Sequence, residues 1–178
     1  STVAIPDSVT SIGAGAFGAC SRLTSITIPN GVTSIQYATF QFCKSLTTVI
    51  FPSSVTSIGE YSFQFCGSLS AITIPDGVDS IGRSAFFGCS SLPTITIPNN
   101  VTIIRDSTFA SCDSLTSVVI PDSVTSIKRY AFQSCSSLTT ITIPAGVTSI
   151  ENNTFTSCSS LSTIVIPNSV TSIGASAF

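Results

Sequence analysis

The chain has 178 residues, of which 43% are hydrophobic, and it could bury a sizeable core as one domain. A net charge of −2, with only six basic residues, provides no cationic face for nucleic acid. No run of about 18 apolar residues is present, so we expect no membrane insertion. Histidine, a glycine-rich phosphate loop and a plausible triad are all missing. We therefore expect no enzyme, no cofactor, and no catalytic or metal-binding residue.

A unit of 23 residues recurs along the chain without an insertion. Three residue types mark it, namely proline (Pro6, Pro29, Pro52, Pro75, Pro98, Pro121, Pro144, Pro167), phenylalanine (Phe17, Phe40, Phe63, Phe86, Phe109, Phe132, Phe155, Phe178) and cysteine (Cys20, Cys43, Cys66, Cys89, Cys112, Cys135, Cys158). A strict period of this length predicts stacked coils.

The first half of the unit predicts a strand. In the unit that starts at Leu23, Ile26 and Ile28 alternate with polar residues and should face the core. Pro29 lacks an N–H and should end the strand, and the Pro-Asn-Gly at 29–31 is typical of a turn. One such strand per coil predicts a parallel sheet with neighbours ~4.8 Å apart.

The second half of the unit predicts a tighter structure. Val32 and Ile35 are three residues apart, and Phe40 and Cys43 repeat that spacing. We interpret this half as a 3₁₀ or short helical turn opposite the sheet, with the phenylalanine filling the space between the two walls.

The pattern Leu-x-x-Ile-x-Ile-Pro-x-x-Val-x-x-Ile-x-x-x-x-Phe-x-x-Cys resembles the BspA-like leucine-rich repeats over the whole chain. The resemblance implies an α/β-type solenoid, a right-handed and gently curved coil with the parallel sheet on its concave side. It also implies a secreted or cell-surface protein, often an adhesin for host matrix proteins or other cells. We expect residues 1–178 to form a single solenoid of about eight coils. Because both ends fall within a repeat, we interpret the chain as a fragment of a longer protein.

The cysteines allow three interpretations. Equivalent residues of adjacent coils lie within the Cα distance range of a disulfide, but seven thiols cannot all pair. We favour a buried column of free thiols next to the phenylalanines, with some disulfides or a metal site as alternatives.

Charged residues share columns of the repeat. Glu60, Arg83, Asp106 and Arg129 occupy one position of four successive coils, and Arg105, Lys128 and Glu151 occupy the preceding position in three coils. We favour an exposed ladder of ion pairs that holds coil register, with a mixed-charge ligand patch as the alternative.

Variable aromatic residues are the better lead to a binding site, because clustered surface aromatics often mark contacts. The alternative is that these side chains pack over the short helical turns or against the next face of the coil. The predicted partner-binding residues are Tyr37, Phe42, Tyr61, Phe65 and Phe87, with Arg83, Arg105 and Arg129 alongside.

Outward strand positions form rows rich in threonine and valine, such as Thr94/Thr96 and Thr140/Thr142. These rows fit sheet packing, a protein-binding face or, less well, ice binding. Asn100 and Asn152 begin glycosylation sequons that are relevant only in a eukaryote.

The function predicted from these features is non-enzymatic recognition or adhesion at the cell surface or outside the cell. The expected partner is a host matrix or cell-surface protein. A self-assembling structural protein, with end-to-end addition of copies, is the alternative.

Overall fold

The computed structural model describes residues 2–178. Its strands, in chain order, are β1 (Thr2–Val3), β2 (Ser25–Thr27), β3 (Ser34–Ile35), β4 (Thr48–Ile50), β5 (Ser57–Ile58), β6 (Ala71–Ile72), β7 (Ser80–Ile81), β8 (Thr94–Thr96), β9 (Ile103–Ile104), β10 (Ser117–Val119), β11 (Ser126–Ile127), β12 (Thr140–Thr142), β13 (Ser149–Ile150), β14 (Thr163–Val165) and β15 (Ser172–Ile173). We call β1 and the even-numbered strands the A strands, and the odd-numbered strands from β3 onward the B strands.

Every pairing is parallel and joins residues one repeat apart. Ile26 lies opposite Val49 in the A strands, and Ile35 lies opposite Ile58 in the B strands. The structure therefore confirms a parallel solenoid in which each coil sits in register on the one before it.

The coil has two strand-bearing walls where the sequence predicted one. Ser34 and Ile35 form a B strand in the segment that we interpreted as helical. A two-residue strand is too short to show the alternation that identifies strands in a sequence. Val32 follows the turn, Ile35 lies in strand β3 and both are buried, so two inward residues of an extended segment produced the spacing of three.

We call the third side of the coil the turn wall; in the second coil it comprises residues 36–45, and each other coil has the equivalent residues. Within residues 2–178 this wall contains no helix. The prediction of α/β architecture with helical turns is therefore wrong. The N–H of Phe40 donates to the carbonyl of Ser62 in the next coil, while the N–H of Gln41 donates within its own coil to Ala38. Because alternate amides bond between coils, and Ala38 and Phe42 have φ of 52° and 62°, the segment cannot propagate as a helix.

The core is a column of phenylalanines. Rings from Phe17 to Phe178 stack on one another with centroids 5.3–5.6 Å apart and interplanar angles of 1–14°. Phe86 is fully buried between Phe63 and Phe109. Stacking of identical residues down one column is the packing that the period predicted.

All seven cysteines are free thiols, and six of them are buried beside the phenylalanine column. Each buried thiol donates to the phenylalanine carbonyl of the preceding coil; Cys89 Sγ, for example, lies 3.2 Å from the Phe63 oxygen. Burial raises the pKa of the Cys112 thiol to about 12 and raises the pKa of Cys89 well above its ordinary value. This arrangement agrees with the interpretation of the cysteines as a buried column of free thiols.

The row of A strands is interrupted between β6 and β8 and again between β10 and β12, and the row of B strands is interrupted between β7 and β9. In the coils before the break at β8, the N–H and the hydroxyl of Thr47 both donate to the carbonyl of Thr24. Pro93 occupies the equivalent position in the coil that contains β8, and it has neither donor. The missing hydrogen bonds remove one link between these two coils, but they are not the only cause of a break, because β10 and β12 are also unpaired with each other although Thr139 still donates to the carbonyl of Thr116.

No helix within the described part of the chain is both long and apolar enough to cross a membrane.

Candidate functional site

Three of the predicted residues form one contact group on the turn wall, which we call the phenylalanine cluster (Phe42, Phe65, Phe87). The rings of Phe42 and Phe65 stack with centroids 5.3 Å apart at 10°, and Phe87 meets Phe65 edge-on at 5.1 Å. Phe42 and Phe65 remain 40% and 41% exposed. An open depression of about 530 Å³ is lined by Phe42 and Phe65 of the cluster, together with Lys44 and Gly88.

The backbone at Phe42 and Phe65 is unusual for such bulky residues. Their φ angles of 62° and 59° place both in the left-handed region, which costs a residue with a Cβ roughly 1–2 kcal/mol. Other coils place small residues in this column: Ala19, Gly88, Ser111, Ser134 and Ser157. Two large aromatic rings therefore occupy a strained position without becoming part of the core.

The neighbouring coil is shaped to receive Phe65. A Cβ at Gly88 would lie 2.7 Å from Phe65 Cδ1, so only glycine leaves room for that ring. Phe87 precedes Gly88 and packs against the edge of Phe65. The cluster is thus a packed surface unit and not three scattered rings.

A second group, the tyrosine cluster (Tyr37, Tyr61, Arg83), lies at the other end of the turn wall. Tyr37 is 55% exposed and meets Tyr61 edge-on with centroids 5.5 Å apart. The Arg83 guanidinium lies 6.0 Å from the centre of the Tyr61 ring, which is cation–π distance. Tyr61 also has a positive φ, 57°.

The other two predicted arginines belong to neither cluster. Arg129 Nε lies 3.6 Å from Asp106 Oδ1, and in the neighbouring column Lys128 Nζ lies 2.9 Å from Glu151 Oε1. Arg105 is exposed. The predicted ladder of ion pairs is therefore represented by two pairs among residues 2–178, while Arg83 contacts a tyrosine instead.

Sequence reasoning missed two exposed residues of the turn wall. Tyr130 is exposed with a φ of 61° and shares its repeat position with Tyr61. Lys44 follows Phe42 by two residues and borders the phenylalanine cluster. Comparing columns would have found Tyr130, since most coils have a small residue at that position.

The outward face of the A strands is less uniform than its threonine rows suggest. Ile50, Val119 and Val165 are all well exposed and interrupt the threonines. Binding of ice or of protein by this face stays a prediction.

Comparison with known proteins identifies the family. The family model that describes the BspA type leucine rich repeat region matches residues 1–112 and 56–178 of this chain, with six copies. The chain belongs to this family. The resemblance seen in the sequence is thereby confirmed, and solenoids of this family are typically non-enzymatic.

Solved structures of leucine-rich repeat proteins share this fold. A leucine-rich repeat protein from Bacteroides ovatus is 36% identical with a TM-score of 0.93, covering 97% of this chain and 47% of that protein. A leucine-rich repeat protein from T. pallidum is 35% identical with a TM-score of 0.80, covering 84% and 72%. A leucine-rich cell surface protein from Faecalibacterium prausnitzii is 31% identical with a TM-score of 0.65, covering 99% and 66%. The chain thus spans about half the length of the B. ovatus protein. Among curated proteins none matches this chain.

Proposed function

We propose that this BspA-type solenoid is a recognition module that works outside the cell and binds a protein partner through its turn wall. The contact residues are the phenylalanine cluster and the tyrosine cluster. The exposed arginines Arg105 and Arg129 lie further along the same wall and add charge to the contact surface.

One observation supports this proposal above the others. Phe42 and Phe65 are held in a left-handed backbone conformation while about two-fifths of each side chain stays in solvent. Serine or alanine fills the same column elsewhere, so the fold itself does not require aromatic rings there. The left-handed backbone recurs at this position in the other coils, so the exposed rings are what set these two coils apart, and exposed aromatics are the residues that dominate protein interfaces.

The repeated scaffold suits weak contacts that add together. Both clusters lie on consecutive coils held in fixed register by backbone hydrogen bonds, so a partner can contact both without a further loss of conformational freedom in this chain. Action at the cell surface is supported by the F. prausnitzii relative, which is a cell surface protein.

Binding to immobilised extracellular-matrix proteins, including collagen and laminin, and to cell-surface proteins tests the proposal. We expect at least one to bind the chain, and we expect Phe42→Ser with Phe65→Ser to weaken that binding by tenfold or more. Interface aromatics of this kind cost about 2 kcal/mol or more when truncated, and about 1.4 kcal/mol corresponds to a factor of ten.

Tyr130→Ser is the matched control, because it removes an exposed aromatic from a column that contains serine in other coils and lies outside both clusters. Equal losses for the control and the double variant would contradict a specific role for the phenylalanine cluster. Failure of every probe to bind at tens of micromolar would contradict the proposed function itself.

A further inference from the structure

Charge is distributed unevenly around the coil. All six basic residues lie on the turn wall: Arg22, Lys44, Arg83, Arg105, Lys128 and Arg129. The turns that follow the A strands contain four carboxylates and no basic residue: Asp7, Asp76, Asp79 and Asp122. This edge of the solenoid therefore attracts cations, whereas the turn wall has a slight positive excess.

A depression of about 520 Å³ opens at that acidic edge, over β4, β6 and the turns that follow them. Its walls are mostly apolar, with Ile50, Phe51, Ile72 and Ile74 among the lining residues. Asp76 is the one charged residue that lines it. The site shares no lining residue with the depression over the phenylalanine cluster.

The apolar walls come from departures from the repeat. Ile50 is 58% exposed where most coils have an outward threonine, and Phe51 replaces the usual isoleucine. Ala71 stands where serine or threonine is the rule. Ile72 is partly exposed although its equivalents Ile26 and Ile95 are buried. The interruption beside Pro93 lies next to these changes, so the depression is a local feature of two coils and not a property of the repeat.

We propose that this depression is a second binding site, for a lysine or arginine side chain of a protein partner. The methylene stem would pack on Ile50 and Ile72, and the cationic end would reach the Asp76 carboxylate. Long basic side chains combine an apolar stem with a charged end, and this combination matches an apolar depression with one acidic residue at its rim. The absence of basic residues from this edge leaves Asp76 without a competing cation from the neighbouring turns.

The experiment uses Nα-acetyl-lysine amide as the probe and Nα-acetyl-norleucine amide as its uncharged counterpart, with methyl NMR spectra of the whole chain as the readout. We expect saturable shifts at the methyl groups of Ile72 and Ile74 with the lysine probe, at millimolar affinity, and binding of the norleucine probe weaker by about fivefold.

Asp76→Asn is expected to weaken lysine binding by about fivefold while leaving the norleucine probe unaffected. This change suits the fold, because Asn30, Asn99 and Asn168 occupy the same position in other coils. Asp122→Asn, in the same column but away from the depression, is the matched control and should change nothing. Equal binding of both probes, equal effects of the two variants, or no shift at tens of millimolar would each overturn the proposal.

This site stands apart from the proposed function. Phe42→Ser with Phe65→Ser should leave lysine binding intact, and Asp76→Asn should leave the phenylalanine cluster able to bind. Loss of lysine binding in the phenylalanine variant would show that the two surfaces are not separate, and would also overturn the proposal.

Discussion

Replacing Phe86 with alanine is expected to lower the free energy of unfolding by about 3–5 kcal/mol. The ring is fully buried and stacks on Phe63 at 5.4 Å and on Phe109 at 5.6 Å. Its removal leaves a cavity enclosed by backbone that is hydrogen-bonded between coils on both sides, so the site has little freedom to collapse. Urea or guanidinium unfolding, followed by far-ultraviolet circular dichroism, measures the loss.

Two further variants make that result specific. Phe132→Ala removes an equivalent ring from the same column and should cost a similar amount, because Phe132 is equally buried and stacked. Phe87→Ala removes a neighbouring ring that is only partly buried and should cost clearly less. If Phe86 and Phe87 proved equivalent, the phenylalanine column would not be the core of the solenoid.

Raising the pH above 9 is expected to destabilise the fold through the buried thiols of Cys112 and Cys89. An unfolded cysteine has a pKa of 9.0, whereas burial raises the pKa of Cys112 to about 12. Between these values the unfolded chain releases a proton that the folded chain keeps, so alkali favours unfolding. The contribution of Cys112 is fully present below pH 9, falls by about 1.4 kcal/mol per pH unit above it, and is lost on approaching pH 12. Cys89, whose pKa burial raises in the same direction, adds to the effect.

Free energies of unfolding measured at a series of alkaline pH values test this expectation. Cys112→Ala should reduce stability at neutral pH but make the alkaline decline shallower by about one proton, because the titrating group is gone. Cys20→Ala removes the exposed thiol and is the matched control, with the decline of the parent chain expected. Parallel declines for the parent and Cys112→Ala would show that the buried thiol does not couple to folding.

The stacking of coils could be predicted from the sequence because the period is strict. Proline, phenylalanine and cysteine each recur at one interval, and that interval became the register in which Ile26 lies opposite Val49. Burial of the phenylalanines followed from the same argument, since a large apolar ring in every coil has to leave water.

The shape of the turn wall could not be predicted, because it depends on backbone conformations that side-chain spacing does not specify. Ala38 and Ser84 adopt positive φ although neither residue type prefers it. Hydrogen bonds from one coil to the next, such as Phe40 N–H to the Ser62 carbonyl, hold the segment in place. These contacts exist only after stacking, so an isolated repeat gives no sign of them.

The candidate site was partly visible in the sequence. Aromatic residues in variable columns identified both clusters, since neighbouring coils bring Phe42 to Phe65 and Tyr37 to Tyr61. The pairing of Arg83 with Tyr61, and the gap that Gly88 leaves for Phe65, required coordinates. Both contacts depend on the directions of side chains, which a comparison of equivalent repeat positions does not provide.

The central claim is that the phenylalanine column forms the core whereas Phe42 and Phe65 form a surface. The free energy of unfolding of the variant with both Phe42→Ser and Phe65→Ser tests this claim most directly. Both rings lie at the surface, their removal leaves a dent that water can fill, and serine occupies the same left-handed position at Ser111 and Ser134. We expect this double variant to lose less stability than Phe86→Ala alone, about 2 kcal/mol against 3–5 kcal/mol. A loss equal to or larger than that of Phe86→Ala would place these rings in the core and contradict their role as a contact surface.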